Sequence, residues 1–302
     1  MKEYRDGILT VYTPTFNRAY CLHQLYDSLC TQSLDFSKFE WLVVDDGSQD
    51  DTERLVSEWI KNSPFKIFYH KQKNEGKMAK LNFIHNIIDT ELCMCVDSDD
   101  YLISSALSEI MIKWKEVKNY PDIAGIVGLD IFKNGHIVGT AFPNDLNKIK
   151  FSFFDKFNVK GDKKFVYRTI VINNYPDYPT FPGEKFPAPG YLYRLIDIDY
   201  DLAILNKPLC VVEYLEDGIS KNKFKQFVKN PNSFMFYRQE RMRLAPNYFD
   251  RCKNAMHYVS SCMFAKKSAF KRNSYPLTTL LMFPFGLFLN FYIRKTNKKG
   301  AV

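Results

Sequence analysis

Three carboxylates within four residues, Asp97, Asp99 and Asp100 in Asp97-Ser98-Asp99-Asp100, are the densest chemistry in this sequence. They follow the apolar run Leu92-Cys93-Met94-Cys95-Val96, which has the length of a buried strand. Like charges this close repel one another, so the cluster is costly unless a cation compensates. In an extended segment the Asp97 and Asp99 side chains point the same way and can face one divalent ion. Oxygen-only ligands favour Mn2+ or Mg2+ over zinc. An EF-hand beginning at Asp97 would need glycine at position 102 and glutamate at 108, where the chain has Leu102 and Ser108. A solvated acidic turn is the plain alternative.

Three more polar clusters stand in the first hundred residues: Thr13-Pro14-Thr15-Phe16-Asn17-Arg18, Asp45-Asp46-Gly47-Ser48 and Asn74-Glu75-Gly76-Lys77. Any one alone reads as a turn or a helix cap. The elements between them give the set its meaning. Ile8–Tyr12, Phe39–Val44, Phe65–Tyr69, Leu92–Val96 and Ile123–Leu129 are apolar runs of strand length. Leu22, Leu25, Tyr26 and Leu29 recur at helical spacing, as do Leu55, Val56, Trp59 and Ile60, then Leu81, Ile84, Ile87 and Ile88. Repeating β-α units predict an α/β fold with a mainly parallel sheet flanked by helices, and ligands bind beyond the carboxyl ends of its strands. The clusters follow those ends, so they predict one site. Beyond Asp130, Asn134-Gly135 signals a hairpin, Phe165–Ile172 and Leu202–Tyr214 read as strands, and Tyr175–Gly190 is a proline-rich loop. From Lys223 to about Arg272 the pattern is helical, with a break at Ala245-Pro246-Asn247.

Thr-Pro-Thr-Phe-Asn-Arg, Val-Val-Asp-Asp-Gly-Ser, Asn-Glu-Gly-Lys followed by Leu81-Asn82, and Val-Asp-Ser-Asp-Asp, in this order over residues 8–101 and more loosely to about 220, resemble the motifs of family-2 glycosyltransferases with the GT-A fold. The resemblance implies a nucleotide-sugar donor, most often a UDP-sugar, on the carboxyl edge of the sheet. Asp46 then matches the carboxylate that hydrogen-bonds uracil, and Pro14 with Thr15 the segment packed on the base. Lys77 matches a cation near the diphosphate, Asp97 a ribose or metal contact, and Asp99 the metal ligand with Asp100 beside it. It also implies inversion, with a carboxylate taking the proton of the acceptor hydroxyl. The usual acidic pair for that role is absent from Phe181–Gly190. Glu184 is the one acid between Asp177 and Asp197, and we take it as the base, against the plain alternative of a surface ion pair. Asp217, in an Asp-Gly turn, is a further donor-side or metal-side candidate. The Gln-x-x-Arg-Trp motif of processive members is absent, which favours transfer of a single sugar.

The net charge of +8, from 42 Lys and Arg against 34 Asp and Glu, first suggests nucleic acid. The excess is confined to Lys266, Lys267, Lys271, Arg272, Arg294, Lys295, Lys298 and Lys299, with no acid after position 265, so the body is neutral and nucleic acid is not an expected partner. Between the two halves of this basic tail, Asn273 to Ile293 carries no charge but contains Pro276, Pro284, Gly286 and Asn290. That pattern predicts a segment lying in the interface of an anionic membrane, with a helix packed on the catalytic domain as the alternative. The expected organisation is a GT-A catalytic domain over 1–220, a C-terminal helical extension over 221–272 and a membrane-associating amphipathic tail over 273–302. Seven cysteines without a paired or zinc-like spacing, and an N-terminus that enters a strand directly, point to the cytoplasm, peripheral at the inner face of the cell membrane.

The expected function is metal-dependent, inverting transfer of one sugar to a polyprenyl-diphosphate-linked saccharide in bacterial surface-polysaccharide synthesis. The missing acidic pair supports one rival, a catalytically silent, donor-binding subunit of an active transferase. A nucleotidyltransferase would need a glycine-rich basic loop after the first strand, and Thr13–Arg18 is not one.

Overall fold

The computed structural model describes residues 4–186, 188–213 and 223–299, which form two compact units. The first comprises residues up to Tyr178 together with Leu192–Glu213, and the second Pro179–Tyr191 with the chain from Tyr214 onward. The boundary near 213 lies close to the expected one at 220, but Pro179–Tyr191 groups with the C-terminal helices. Asp217 and the end of the expected last strand at Tyr214 lie outside the described residues.

In the first unit the chain runs β1 (Arg5–Thr15), α1 (Ala19–Cys30), β2 (Phe39–Asp45), α2 (Thr52–Asn62), β3 (Lys66–Lys71), α3 (Lys77–Ile87), β4 (Thr90–Cys95), β5 (Tyr101–Leu102), α4 (Ala106–Val117), β6 (Ile123–Ile131), β7 (Lys148–Ile149), β8 (Lys163–Arg168), α5 (Thr169–Asn173), α6 (Gly190–Ile196), whose first two residues group with the second unit, and β9 (Asp201–Val211). One sheet contains every strand, in the order β3-β2-β1-β4-β8-β6-β9-β5, with β7 on β9. The β-α repeats produce the parallel part, β3-β2-β1-β4, as expected. Past β4 the sheet is mixed, because β8 enters antiparallel to both β4 and β6. All seven residues of β2 are buried, as a strand covered on both faces requires. Leu22, Leu25 and Leu29 of α1, Val56 of α2, and Leu107, Ile110 and Trp114 of α4 join its core.

Phe165–Ile172 divides into two elements. The strand ends at Arg168, whose extended ψ of 125° begins α5. β-Branched Thr169, Ile170, Val171 and Ile172 suggest a strand by propensity, but Thr169, Val171 and Ile172 bury together from a helical turn, and packing overrides propensity.

The second unit contains α7 (Lys223–Lys229), α8 (Pro231–Arg243), α9 (Tyr248–Phe264) and α10 (Pro276–Lys299). The expected break falls between α8 and α9, and a second falls at Asn230, after which Pro231 opens α8 in the position where its missing N–H costs nothing. Met242, Ala255, Tyr258, Val259, Cys262 and Ala269 make its core. On α10, Thr279, Gly286, Asn290 and Ile293 are buried along one stripe. A Cβ at Gly286 would stand 2.5 Å from that of Val259, so glycine is what lets α9 and α10 approach. The Asn290 side chain donates to the Ser260 carbonyl at 3.1 Å. The opposite side of α10 exposes Leu277, Leu280, Leu281, Phe285, Phe288 and Phe291.

Candidate active site

Parallel register brings the ends of the first three strands level: Thr15 lies opposite Asp45, and Asp45 opposite Lys71. Asp45 is fully buried. Its Oδ1 accepts from the Ser48 amide at 2.7 Å and its Oδ2 from the Tyr69 hydroxyl at 2.6 Å, so it shapes the turn after β2. That turn is clasped to the one after β1. Asn17, in the left-handed region at φ 52°, donates its amide to Ser48 Oγ and accepts from the Gln49 amide. Asp50 accepts from the Ala19 amide at the start of α1 and from the Thr52 amide at the start of α2, so one carboxylate caps both helices.

Asp46 holds the third loop. Its two oxygens accept from the Glu75 and Gly76 amides at 2.7 and 2.8 Å, and buried Lys80 stands 3.3 Å away. Lys80 also donates to Gln72 Oε1 and the Lys73 carbonyl. Nothing in its helical position marked Lys80 as part of this loop, since its sequence pattern is that of an ordinary surface lysine. Gly76 adopts φ 92° at the head of α3, and Lys77, the next residue, begins the helix. Pro14 is half-buried, and the buried Thr15 hydroxyl has no hydrogen-bond partner among the described residues.

Lys77 reaches across to β4, where its ammonium donates to Asp97 Oδ1 at 2.5 Å. Asp97 and Asp99 are both partly exposed, whereas Asp100 is buried. Burial pushes the Asp97 carboxyl up, but Lys77 and Lys164 outweigh it and hold the group below the ordinary carboxylate range. Asp99 goes the other way, raised by burial and by the charge of Asp97. Beneath them Lys164 of β8 stands 3.6 Å from Asp100 and 3.9 Å from Asp130 of β6, all three buried. Burial pushes Asp100 and Asp130 up against the pull of Lys164, and one Asp130 oxygen has no hydrogen-bond partner among the described residues. Asp130 and Lys164 did not enter the sequence reading. The one signal for Asp130 was a charge inside an otherwise apolar strand, whereas Lys164 stands in a Lys-Lys pair at the head of β8 and carries no such signal.

The four clusters therefore converge, and they offer a divalent cation a donor set of the right kind. Asp97 and Asp99 are hard oxygen ligands, and a cation beside them would relieve the repulsion from Asp97 that adds to burial in raising the Asp99 carboxyl. Among the described residues no group of three or more metal-ligating side chains assembles, so a cation would take its other ligands from substrate and water.

Glu184, in the second unit, has an employment the sequence did not suggest. Oε1 accepts from the Asn232 amide and side chain, and Oε2 from the Ser233 amide and hydroxyl, all at 2.7–2.9 Å. It thus satisfies the open amides in the first turn of α8.

Residues 10–167, just over half of the chain, match the family model Glycosyl transferase family 2. The chain belongs to that family. A GalNAc(5)-diNAcBac-PP-undecaprenol beta-1,3-glucosyltransferase of Campylobacter jejuni is 35% identical over 109 residues, 36% of this chain and 35% of that protein. The Staphylococcus aureus poly(ribitol-phosphate) beta-N-acetylglucosaminyltransferase TarS is 29% identical over 100 residues, 33% of this chain and 18% of its own length. The chain thus spans about a third or less of the length of these curated relatives. Among solved structures, TarS residues 1–349 with UDP-GlcNAc superimposes with a TM-score of 0.62 at 15% identity, covering 97% of this chain and 92% of that one. A Pyrobaculum calidifontis mannosyltransferase with GDP-Man and Mn2+ gives 0.56 at 17% identity, covering 99% and 85%. These likenesses establish the GT-A fold.

Proposed function

We propose that the chain is a metal-dependent, inverting glycosyltransferase that moves one sugar from a UDP-sugar to a polyprenyl-diphosphate-linked saccharide, at the cytoplasmic face of a bacterial membrane, in surface-polysaccharide synthesis. The observation that carries this reading is the acidic pair Asp97 and Asp99, flanked by Lys77 and underlain by Lys164, at the carboxyl ends of a family-2 sheet. Mixed charge of this kind suits a diphosphate: carboxylates for its cation and an ammonium for its oxygens. Pro14, Thr15 and Asp46 would form the base pocket. With both oxygens of Asp46 engaged by the third loop, its part is to fix that loop and present its remaining acceptor capacity to uracil.

Mn2+ or Mg2+ held by Asp97 and Asp99 would stabilise the charge that develops as UDP departs. Lys77 would neutralise the same oxygens from the other side. Glu184 is the proposed base. An acceptor hydroxyl would take the place of the Ser233 hydroxyl on Oε2, since both are O–H donors to one carboxylate. Saturation of Glu184 by four donors also favours the second reading, a silent donor-binding subunit.

Purified protein with Mn2+ and UDP-glucose, UDP-galactose and their N-acetyl forms tests both. Donor hydrolysis or transfer that is lost in Asp99→Asn supports the enzyme. Tight UDP binding with no turnover on any donor supports the silent subunit, and full turnover in Asp99→Asn sinks the metal assignment.

The basic tail is proposed to lie on the anionic membrane. α10 is long and apolar enough to span a bilayer, yet one face is packed on α9, which carries Asp250, Arg251 and Lys253. A spanning α10 would take those charges into hydrocarbon, whereas an interfacial one keeps them in water.

A further inference from the structure

Lys80 is a buried charge for which the proposed chemistry has no task. It stands one turn after Lys77 on α3, and the two lysines serve different carboxylates: Lys77 bonds to Asp97, while Lys80 turns toward Asp46. The Lys80 side chain is 1% exposed. An ammonium taken so far out of water is costly unless acceptors surround it. Lys80 donates to the Lys73 carbonyl at 2.8 Å and to Gln72 Oε1 at 3.0 Å, and Asp46 Oδ1 stands 3.3 Å away, with Glu75 Oε2 at 3.9 Å. The two opposite charges thus hold the third loop from both ends. Lys80 takes oxygens of Gln72 and Lys73, and Asp46 takes the amides of Glu75 and Gly76.

What matters to a ligand is the capacity Asp46 has left. A carboxylate offers about four acceptor directions over its two oxygens. The Glu75 amide at 2.7 Å and the Lys80 ammonium at 3.3 Å occupy Oδ1, and the Gly76 amide at 2.8 Å occupies one side of Oδ2. Among the described residues one direction remains, on one oxygen. Nucleobases differ in how many donors they turn to such a group. Uracil presents a single N–H, at N3 between two carbonyls. Guanine presents two side by side, N1–H and the 2-amino group, and a fork of that kind needs both oxygens. On Asp46 one of the pair would be buried without an acceptor, a loss of about tenfold or more in affinity.

We propose that Lys80 is a positioning residue that sets nucleobase choice. By filling one side of Asp46 Oδ1 it leaves the carboxylate a single acceptor direction, so the site takes a base with one N–H on that edge and turns guanine away. The arrangement of Lys80 and Asp46 stands on its own distances, whereas its place in a base pocket rests on the function proposed above. Hypoxanthine, the base of inosine, separates donor number from ring size, since it keeps the guanine rings and N1–H but lacks the 2-amino group.

Calorimetric titration of the full chain with UDP, IDP and GDP, each with Mn2+, tests this. The expected wild type binds UDP, and binds IDP about tenfold or more tighter than GDP. In Lys80→Met the freed side of Oδ1 accepts the second N–H, and the advantage of IDP falls to about threefold or less. Lys80→Gln loses the charge but keeps a donor for the Lys73 carbonyl. It should narrow the ratio in the same way and carries the test if Lys80→Met does not fold. A wild type that binds GDP as tightly as IDP overturns the proposal, as does rejection of both purines, which would assign the choice to ring size. Equal loss of all three nucleotides in a folded variant, with the IDP-to-GDP ratio unmoved, makes Lys80 a strut for the loop and overturns it too. UDP binding with an unmoved ratio therefore sinks the role of Lys80 and leaves the base site. A wild type that does not bind UDP sinks the base site, and this inference with it.

Discussion

Lys77 and Asp97 are the contact on which the donor side turns, because each shifts the other toward its charged form across a 2.5 Å bond, with the Cys95 thiol a weaker second donor to the same oxygen. Lys77→Gln should weaken UDP binding about tenfold, measured by calorimetry with Mn2+ present, and leave the melting temperature within a few degrees. Glu184→Gln addresses the base. As the proposed base it should lose about 100-fold or more in transfer rate, while its amide still accepts from part of the α8 cap and the fold survives. Near-normal transfer with a lowered melting temperature would leave Glu184 a cap alone. Asp46, Lys77, Asp97 and Asp99 were legible because motif order fixed them on one edge of the sheet. Asp130 and Lys164 were not, because β6 and β8 come together through antiparallel pairing that no local pattern announces. The cap made by Glu184 was equally hidden: its partners lie 48 and 49 positions away, and helix capping is normally read from adjacent residues.

Among the elements, period and length sufficed for the first four strands and the helices between them, since β1, β2 and β4 are largely buried apolar runs, and edge strand β3, mostly exposed, still carries the short apolar stretch Ile67-Phe68-Tyr69. The β-branched turn of α5 was misread for the opposite reason, a local preference that burial overturns. Gly286 is the position on which the pairing of α9 with α10 depends. Replacing it by Leu should destabilise the second unit by about 1–3 kcal/mol, seen as a lower melting temperature, because Val259 and the Met256 carbonyl already occupy the space. Leu281→Glu and Phe288→Glu lie on the exposed side of α10 and should spare the melting temperature. Each should cut sedimentation with phosphatidylglycerol vesicles several-fold, and undiminished binding would return α10 to the role of a simple packing helix.

At the scale of the whole molecule, charge placement was legible and its use was not. Sequence counting put the excess in the tail, yet Arg294 is partly withheld from it, bonded to Asn290 and stacked over Phe264. Acid should weaken both units. Burial takes His85 down to about 4, and burial with three cations takes His257 down to about 3, so each folded form resists a proton that the unfolded chain accepts near 6.5. Stability from these groups is full above pH 6.5 and falls as pH drops toward 4, with His85 alone contributing on the order of 3 kcal/mol. Denaturant midpoints measured from pH 7 to 4 should decline, and His85→Gln should flatten part of that slope. The clasp that joins the first two loops through Asn17, Ser48 and Asp50 carries a kinetic consequence. The amides of Asn17, Ala19, Gln49 and Thr52 are each tied to a side chain in or beside it, so none can be released to solvent without loosening the others. In deuterium these four amides should exchange with one common protection factor, and a nucleotide should slow all four together.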